Sequence, residues 1–171
     1  EGIDFRSVTL LERFQMMAFL NKGLEITFID NRNNGNNKKT SYKYDGGIKD
    51  FVQHVNTSKE ALFETVGFFQ DQDDEQEVEI AFQWNTGFNS DGIHSFANGI
   101  STTEGGMHEQ GFRTALTRIV NKYARDNGQL NKSDDGLQGE DIREGLTAII
   151  SVRLREPQFE GQTKSKLGNV S

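Results

Sequence analysis

The chain contains no cysteine, which excludes disulfide bonds and thiolate-bound metal. The histidines His54, His94 and His108 are scattered, so they cannot form a zinc site with close helical spacing. Hydrophobic residues make up 33% of the sequence, and no apolar run approaches the roughly 18 residues that a membrane-spanning helix requires. No signal peptide is visible at the start. We therefore expect a cytoplasmic protein with no metal site and no membrane partner.

The length of 171 residues is enough for one domain with a real core and too little for three. The 13 phenylalanines can supply that core. A net charge of −7 argues against a protein whose whole surface coats nucleic acid, but it allows a single basic face. The sequence starts with Glu-Gly rather than Met, so we expect residues 1–171 to be a single domain of a longer protein.

Helical spacing of apolar residues predicts helices at residues 5–21, just after 46–47, at about 109–127 and at 140–145. The first has Asp4 as its expected N-cap, Gly23 just past its end, and an apolar stripe assigned to the core. The longest follows a glycine hinge at 103–108 and ends near Gly128. Free amides at such a Gly-Gly turn bind an anion in a minority of cases.

Alternating apolar residues predict strands at residues 24–30, 40–44, 66–70, 78–84, 93–98 and 146–154. The last of these starts with a nearly continuous apolar run, so we expect it to be central in a sheet and to end before Pro157. Residues 31–39 are rich in asparagine and predict an exposed hairpin loop. Residues 71–77 predict a solvated acidic turn without a metal role, because they lack the spacing of an EF-hand.

The longest predicted helix carries four basic residues in an otherwise acidic protein. At 100° per residue, its apolar face is predicted to hold Phe112, Leu116, Ile119, Val120 and Tyr123. Arg118, Lys122 and Arg125 cluster on the opposite side, while Arg113 lies apart at the flank. Two interpretations stay open: an ordinary solvated basic side, or a surface that meets nucleic-acid phosphates.

A polar loop near the end of the chain contains Gln162-Thr163-Lys164. In an extended loop, side chains two residues apart point the same way, so the amide of Gln162 and the ammonium of Lys164 would face one ligand. Such a pair of donors suits a phosphate. A solvated loop is the default interpretation of this tripeptide, and a phosphate sensor is the alternative.

Several segments, in order along nearly the whole chain, together resemble one family. They are Ala18-Phe19-Leu20-Asn21-Lys22-Gly23, Tyr44-Asp45-Gly46-Gly47-Ile48, Gln83-Trp84-Asn85, Ser95-Phe96-Ala97-Asn98, Glu104-Gly105-Gly106-Met107-His108, Gly111-Phe112-Arg113-Thr114-Ala115-Leu116, Arg143-Glu144-Gly145-Leu146 and Pro157-Gln158-Phe159-Glu160-Gly161-Gln162-Thr163-Lys164. The set resembles the transducer (second) domain of the DNA gyrase B protein, in the type IIA DNA topoisomerase family of bacteria.

The resemblance implies an α+β fold like the second domain of ribosomal protein S5, with a mixed β-sheet and helices packed on one face. It implies an upstream Bergerat-fold domain that binds ATP and Mg²⁺, a downstream cleavage domain, and no activity of this chain by itself. It also implies that Gln162 and Lys164 contact the γ-phosphate of ATP, with Lys164 acting in catalysis. The domain would thereby relay nucleotide state to DNA strand passage and supercoiling.

Partners follow from the same resemblance. The Gly-Phe-Arg segment makes Arg113 the main candidate for a contact with DNA, followed by Arg118, Lys122 and Arg125. The gyrase A protein and a second copy of the B protein are expected as partners in an A2B2 complex.

Three alternatives stay open. The chain is a transducer of the B protein of topoisomerase IV, a transducer of another Bergerat-fold ATPase such as a mismatch-repair protein, or a free-standing S5-like nucleic-acid-binding module. The segment at residues 19–23 resembles gyrase more than topoisomerase IV, and the acidic net charge argues against the free-standing module.

Overall fold

The computed structural model describes residues 5–32, 38–87, 92–131 and 133–169. The helices within these ranges are α1 (Ser7–Leu20), α2 (Ile48–Val55), α3 (Met107–Asp126) and α4 (Gly139–Arg143). The strands are β1 (Ile26–Asp30), β2 (Lys38–Tyr42), β3 (Gly67–Gln72), β4 (Gln76–Trp84), β5 (Gly92–Ala97), β6 (Ile100–Ser101), β7 (Leu146–Leu154), β8 (Phe159–Glu160) and β9 (Lys166–Leu167).

A five-stranded sheet in the order β3-β4-β7-β5-β6 forms the centre of the fold. The β5–β7 pair is parallel and the other neighbours are antiparallel, so the sheet is mixed. Strand β7 lies in the middle, and its first seven residues are all buried, which confirms its predicted limits and central position. The pairs β1–β2 and β8–β9 form two separate hairpins.

Alternation of side chains along β7 divides the core between the two faces of the sheet. Ile149 packs with residues of α1, α2 and the neighbouring strands, and this cluster contains Leu20, Ile48, Val52, Ala81 and Phe96. Val152 points to the other face, where it packs with Ala97 and with Leu167 of the β8–β9 hairpin. We call the first face the α1/α2 face and the second the hairpin face.

Helices α3 and α4 lie on the hairpin face. Ser95 is two residues before Ala97 in β5, so both side chains lie on the hairpin face, and Ser95 contacts Glu109 of α3. The indole N–H of Trp84 donates to the Ile142 carbonyl of α4. The predicted α+β fold with a mixed sheet is confirmed. The prediction that helices pack on one face holds for α1 and α2. Helices α3 and α4 cover the opposite face of the sheet.

Helix α1 differs from its prediction at both ends. Its N-cap is Arg6, while Asp4 lies outside the described residues; Gly23 has a φ of 79° but follows the C-cap, Asn21, by two positions. The apolar stripe is core only in the last turn, at residues 18–20. The prediction was wrong for the first turn and for Met17, because Phe5, Val8 and Met17 are exposed.

The acidic turn is shorter than predicted, because β3 extends to Gln72 and β4 starts at Gln76. The carboxylate of Asp73 closes the turn by accepting the backbone N–H groups of Glu75 and Gln76, and these bonds lower its pKa. Residues 33–37 of the predicted hairpin loop lie outside the described ranges, as do residues 88–91 between β4 and β5. The short strands β6, β8 and β9 were not predicted, since two residues carry too little periodicity to detect.

A buried polar cluster fixes the loop after α2 to the α1/α2 face. Asn56 donates to the Gln83 side chain at 2.9 Å and accepts the Thr147 hydroxyl at 2.7 Å. Asn85 donates to Asn56, Thr147 and the Gly145 carbonyl. These contacts explain why Gln83 in β4 and Asn85 just after it are amides, where apolar side chains would otherwise be expected.

Candidate phosphate-contacting loop and basic helix

The Gln-Thr-Lys segment lies at the tip of the β8–β9 hairpin. Phe159 pairs with Leu167 and Glu160 with Lys166, and the side chains of the latter pair form an ion pair of 3.0 Å. The connecting residues 161–164 are exposed. The paired strands β8 and β9 therefore support a tip at which Gln162 and Lys164 are exposed to solvent.

Lys164 has an unusual backbone conformation. Its φ is 55°, in the left-handed region, and its N–H donates to the Gly161 carbonyl at 3.4 Å. An extended loop was expected, so that prediction was wrong: the segment is a tight turn. The left-handed conformation costs a side-chain-bearing residue roughly 1–2 kcal/mol. Backbone strain of this kind is concentrated at functional sites, because other contacts must maintain it.

The ammonium of Lys164 lies 5.8 Å from the centre of the Phe159 ring. A cation–π contact at an exposed site is worth about 0.5–1 kcal/mol. This weak contact orients the side chain along the hairpin without neutralising its charge, so the charge stays available to an anionic ligand.

The hairpin is fixed to the turn that precedes α3. The Glu104 N–H donates to the Ser165 carbonyl at 2.9 Å, and the Ser165 hydroxyl donates to the Glu104 carboxylate at 2.9 Å. The Leu167 N–H donates to the Gly105 carbonyl at 3.2 Å, and Gly106 forms a parallel bridge with Leu167. Loop and helix start are therefore parts of one hydrogen-bonded unit.

At the predicted glycine hinge, Gly105 and Gly106 have positive φ angles of 73° and 144°. A Cβ on Gly106 would lie 2.5 Å from the Leu167 carbonyl oxygen, so the close approach of the hairpin requires glycine. The N–H of Gly105 donates to the Thr102 carbonyl at 2.8 Å. That amide is therefore not available to an anion, and the suggested role of this turn in anion binding is wrong for Gly105.

Glu109 connects the first turn of α3 to the sheet and to Arg113. Its carboxylate accepts the Ser95 hydroxyl at 2.7 Å and two N–H groups of Arg113 at 2.8 and 3.0 Å. The side chain of Arg113 is 30% exposed. Arg113 therefore lies on the part of α3 that faces the protein, with its guanidinium directed back toward the helix start.

His108 extends this network. Its Nε2 lies 3.2 Å from the Thr102 hydroxyl, which lies 2.8 Å from that of Ser95. The buried Nδ1 atom has no hydrogen-bond partner among the described residues. Burial lowers the pKa of His108, and the neighbouring Glu109 opposes that shift. The imidazole is therefore stabilised in its neutral form.

The exposed side of α3 carries Arg118, Lys122 and Arg125, which line a shallow groove together with Gly136. Lys122 pairs with Asp126 at 2.5 Å. The predicted basic side is confirmed, but one of its three cations is paired within the helix.

The apolar face predicted for α3 is wrong in part. Ile119 and Tyr123 are 59% and 67% exposed, whereas Asn121 and Ala124 are buried. The amide of Asn121 accepts the Leu137 N–H at 2.7 Å and donates to the Leu137 carbonyl at 2.9 Å. The buried face is rotated toward this polar residue because Asn121 hydrogen-bonds the loop before α4.

Sequence reasoning missed Glu104, Ser165 and the role of Glu109. The spacing of Glu109 and Arg113 is the i,i+4 spacing of a helical ion pair, so that contact was accessible from the sequence. Glu104 and Ser165 are 61 residues apart, and no local pattern connects them.

In the described parts of the chain, no group of three or more histidine or acidic side chains is arranged to hold a metal ion. Across the same ranges, none of the helices has both the length and the apolar character needed to cross a bilayer.

Known proteins with related sequences and structures identify the family. The family model described as DNA gyrase B matches residues 47–171. The chain is 51% identical to the DNA gyrase B protein of Streptomyces coelicolor, over 99% of this chain and 27% of that protein. It also resembles the 43K ATPase domain of Thermus thermophilus gyrase B, solved with an aminocoumarin, with a TM-score of 0.85 and 32% identity over 98% of this chain and 44% of that one.

The topoisomerase IV ATP-binding domain of Francisella tularensis, solved with a small-molecule inhibitor, shares the fold with a TM-score of 0.79. It is 22% identical over 99% of this chain and 44% of that one, so this likeness concerns the fold alone.

These findings define the class of protein as the B component of a type IIA DNA topoisomerase. The chain belongs to the DNA gyrase B family. It spans about a quarter of the length of the curated relatives that it matches, at 27% and 26% for two of them. Membership of this family sets the chain apart from mismatch-repair proteins.

Proposed function

We propose that residues 1–171 form the ATP-coupling transducer domain of a DNA gyrase, in which Gln162 and Lys164 contact the γ-phosphate of ATP. One observation carries the proposal: Lys164 is exposed, positively charged and held in a strained left-handed conformation by a hairpin fixed to α3. A solvated loop with no task would have no reason to keep such strain at a residue other than glycine.

In this proposal, ATP and Mg²⁺ are bound mainly by a Bergerat-fold domain ahead of residue 1, which also supplies the general base. The ammonium of Lys164 stabilises the charge on the phosphoryl group during transfer, and the amide of Gln162 donates to the same group. Hydrolysis removes the γ-phosphate and with it both contacts. The hairpin is then released, and the two domains can move relative to one another.

Helix α3 carries the other half of the proposal, a contact with DNA. Arg118 and Arg125 are exposed on the groove side of the helix, where they can reach phosphate oxygens directly. Lys122 would first have to exchange Asp126 for a phosphate. Arg113 remains a predicted DNA contact, and its bond to Glu109 gives it a second role, to carry the effect of DNA toward the helix start.

The remaining partners are proposed on the same basis. The whole protein would act in the cytoplasm as two copies of gyrase B with two copies of gyrase A, and it would use ATP to supercoil DNA. The 171-residue chain alone would neither hydrolyse ATP nor cleave DNA.

The test is ATP turnover by the longer chain that contains the nucleotide domain, with Lys164→Gln compared against Lys166→Gln. Lys166 is two residues away and already paired with Glu160, so its replacement removes the same charge outside the proposed contact. We expect a fall in kcat of about 100-fold or more for Lys164→Gln, with ATP binding retained, since charge stabilisation in the transition state is worth several kcal/mol. Equal turnover in the two variants would refute the γ-phosphate contact.

A further inference from the structure

The side chains of the Gln-Thr-Lys-Ser segment divide into two groups. The hydroxyls of Thr163 and Ser165 lie 3.1 Å apart, and Ser165 donates to the Glu104 carboxylate at 2.9 Å. In the described part of the chain, the Gln162 amide and the Lys164 ammonium have no hydrogen-bonding partner. Among the residues that the structure describes, the Lys164 ammonium makes only the contact with the Phe159 ring. The residues whose hydroxyls are hydrogen-bonded within the chain therefore alternate with the two proposed ligand contacts.

Glu104 binds Ser165 twice, once through its backbone and once through its side chain. The backbone bonds from Glu104 and Gly105 already fix the hairpin as a whole, so the side-chain bond is not needed to keep the hairpin in place. The side-chain bond adds a second contact at Ser165, the residue directly after Lys164. Two contacts restrict the backbone next to the left-handed Lys164 more than the backbone bond alone does. A hydrogen bond to a carboxylate is stronger than one between neutral groups, which suits this task.

Resting on the proposed function, we propose that Glu104 and Ser165 are positioning residues for the phosphoryl-transfer step. Their side chains form a latch that holds the Lys164 ammonium in the geometry required at the γ-phosphate. The latch also joins that ammonium to α3, because Glu104 continues directly into Gly105, Gly106 and the first turn of the helix. Neither residue touches the nucleotide; both act through Lys164.

The experiment uses the longer ATP-hydrolysing chain and measures kcat and KM for ATP. Ser165→Ala removes the donor, and we expect kcat to fall about 3- to 10-fold while KM stays within about twofold, because a misplaced ammonium weakens the transition state and leaves ground-state binding intact. Ser165→Thr keeps a hydroxyl and should restore most of the lost kcat. Ser41→Ala is the matched control, since Ser41 makes a similar exposed hydroxyl contact with Thr27 in the other hairpin.

A double-mutant cycle separates positioning from a general structural effect. Glu104→Ala should lower kcat, and adding it to Ser165→Ala should cause little further loss, because both changes remove the same hydrogen bond. Ser165→Ala should also have no effect on kcat in a Lys164→Gln background. The latch would be refuted if the losses in kcat from the Glu104 and Ser165 changes were additive. It would also be refuted if Ser41→Ala lowered kcat as much as Ser165→Ala does.

The outcomes distinguish failure of the latch from failure of the proposed function. If Lys164→Gln lowers kcat and Ser165→Ala does not, the γ-phosphate contact stands and the latch is wrong. If Lys164→Gln leaves kcat unchanged, the proposed function is wrong, and the positioning role of Glu104 and Ser165 falls with it.

Discussion

Gly106→Val tests the close contact between the β8–β9 hairpin and the start of α3. Gly106 has a φ of 144° and a ψ of −172°, a region that is essentially restricted to glycine. A Cβ there would lie 2.5 Å from the carbonyl oxygen of Leu167, 2.7 Å from its nitrogen and 2.9 Å from its Cβ. Two of these atoms belong to the backbone of a residue that is 2% exposed, so the neighbour cannot move aside without disturbing the core.

Two costs add up for this substitution. The backbone conformation costs a residue other than glycine about 1–3 kcal/mol, and overpacking of a closely packed contact costs another 1–3 kcal/mol or so. A total of about 4 kcal/mol in a domain of this length lowers Tm by about 8–16 °C, since each kcal/mol shifts Tm by about 2–4 °C. Thermal unfolding of the chain, followed by circular dichroism, measures the change.

Substitutions at two other glycines, one within α3 and one just past its end, separate the cost of the backbone conformation from the cost of overpacking. Gly128→Ala, just past the end of α3, meets a positive φ of 69° but no atom within 4 Å, so it should cost only about 1 kcal/mol. Gly111→Ala, inside α3 with no neighbour within 4 Å, should stabilise the chain by about 0.5–1 kcal/mol. If Gly106→Val lowers Tm no more than Gly128→Ala does, the close contact with Leu167 is not present in solution and the reasoning fails.

Three further predictions concern α3 and its surroundings. Asn121→Ala should lower stability by about 1–3 kcal/mol, because the buried Asn121 side chain loses two hydrogen bonds to the Leu137 backbone. Asn127→Ala, at an exposed cap, should change stability by less than about 1 kcal/mol in urea titrations. Arg113→Ala should lower DNA-stimulated ATP turnover of the longer chain more than basal turnover, and equal loss of both rates would contradict a role in DNA response. Burial lowers the pKa of His108 and His94 below the unfolded value of about 6.5. Stability should therefore be greatest above that pH and should fall as the pH decreases from about 7.5 to about 5.5. Thermal unfolding of a His108→Gln variant should show a weaker dependence of Tm on pH.

The parts of the fold that sequence reasoning located correctly are those whose environment is uniform. Strand β7 is buried on both faces along most of its length, so its apolar run is continuous and its limits are visible. Helix α2 buries one face against the sheet, and the apolar spacing at Ile48 and Val52 shows which face that is.

The errors arise where a distant segment decides the environment. Ile119 and Tyr123 suggest one buried face of α3, but the loop that covers the helix contacts Asn121 instead, and that loop cannot be placed from its polar sequence. The same holds for the candidate site: Lys164 could be singled out from its motif, whereas the Ser165–Glu104 contact joins residues 61 positions apart. Nor did the motif indicate the left-handed backbone of Lys164.

The position of the hairpin at the very start of α3 has a mechanical consequence. The helix has 20 residues, which gives it a length of about 30 Å. Gly106 lies at one end of the helix, and we take it as the pivot of a tilt. Arg118, Lys122 and Arg125 lie in the half of the helix remote from it. A tilt of about 10° at the pivot would sweep the far end through about 5 Å, close to the rise of one helical turn. If the hairpin contacts a phosphate and α3 contacts DNA as proposed, a small displacement at the hairpin becomes a movement of several ångströms at Arg125.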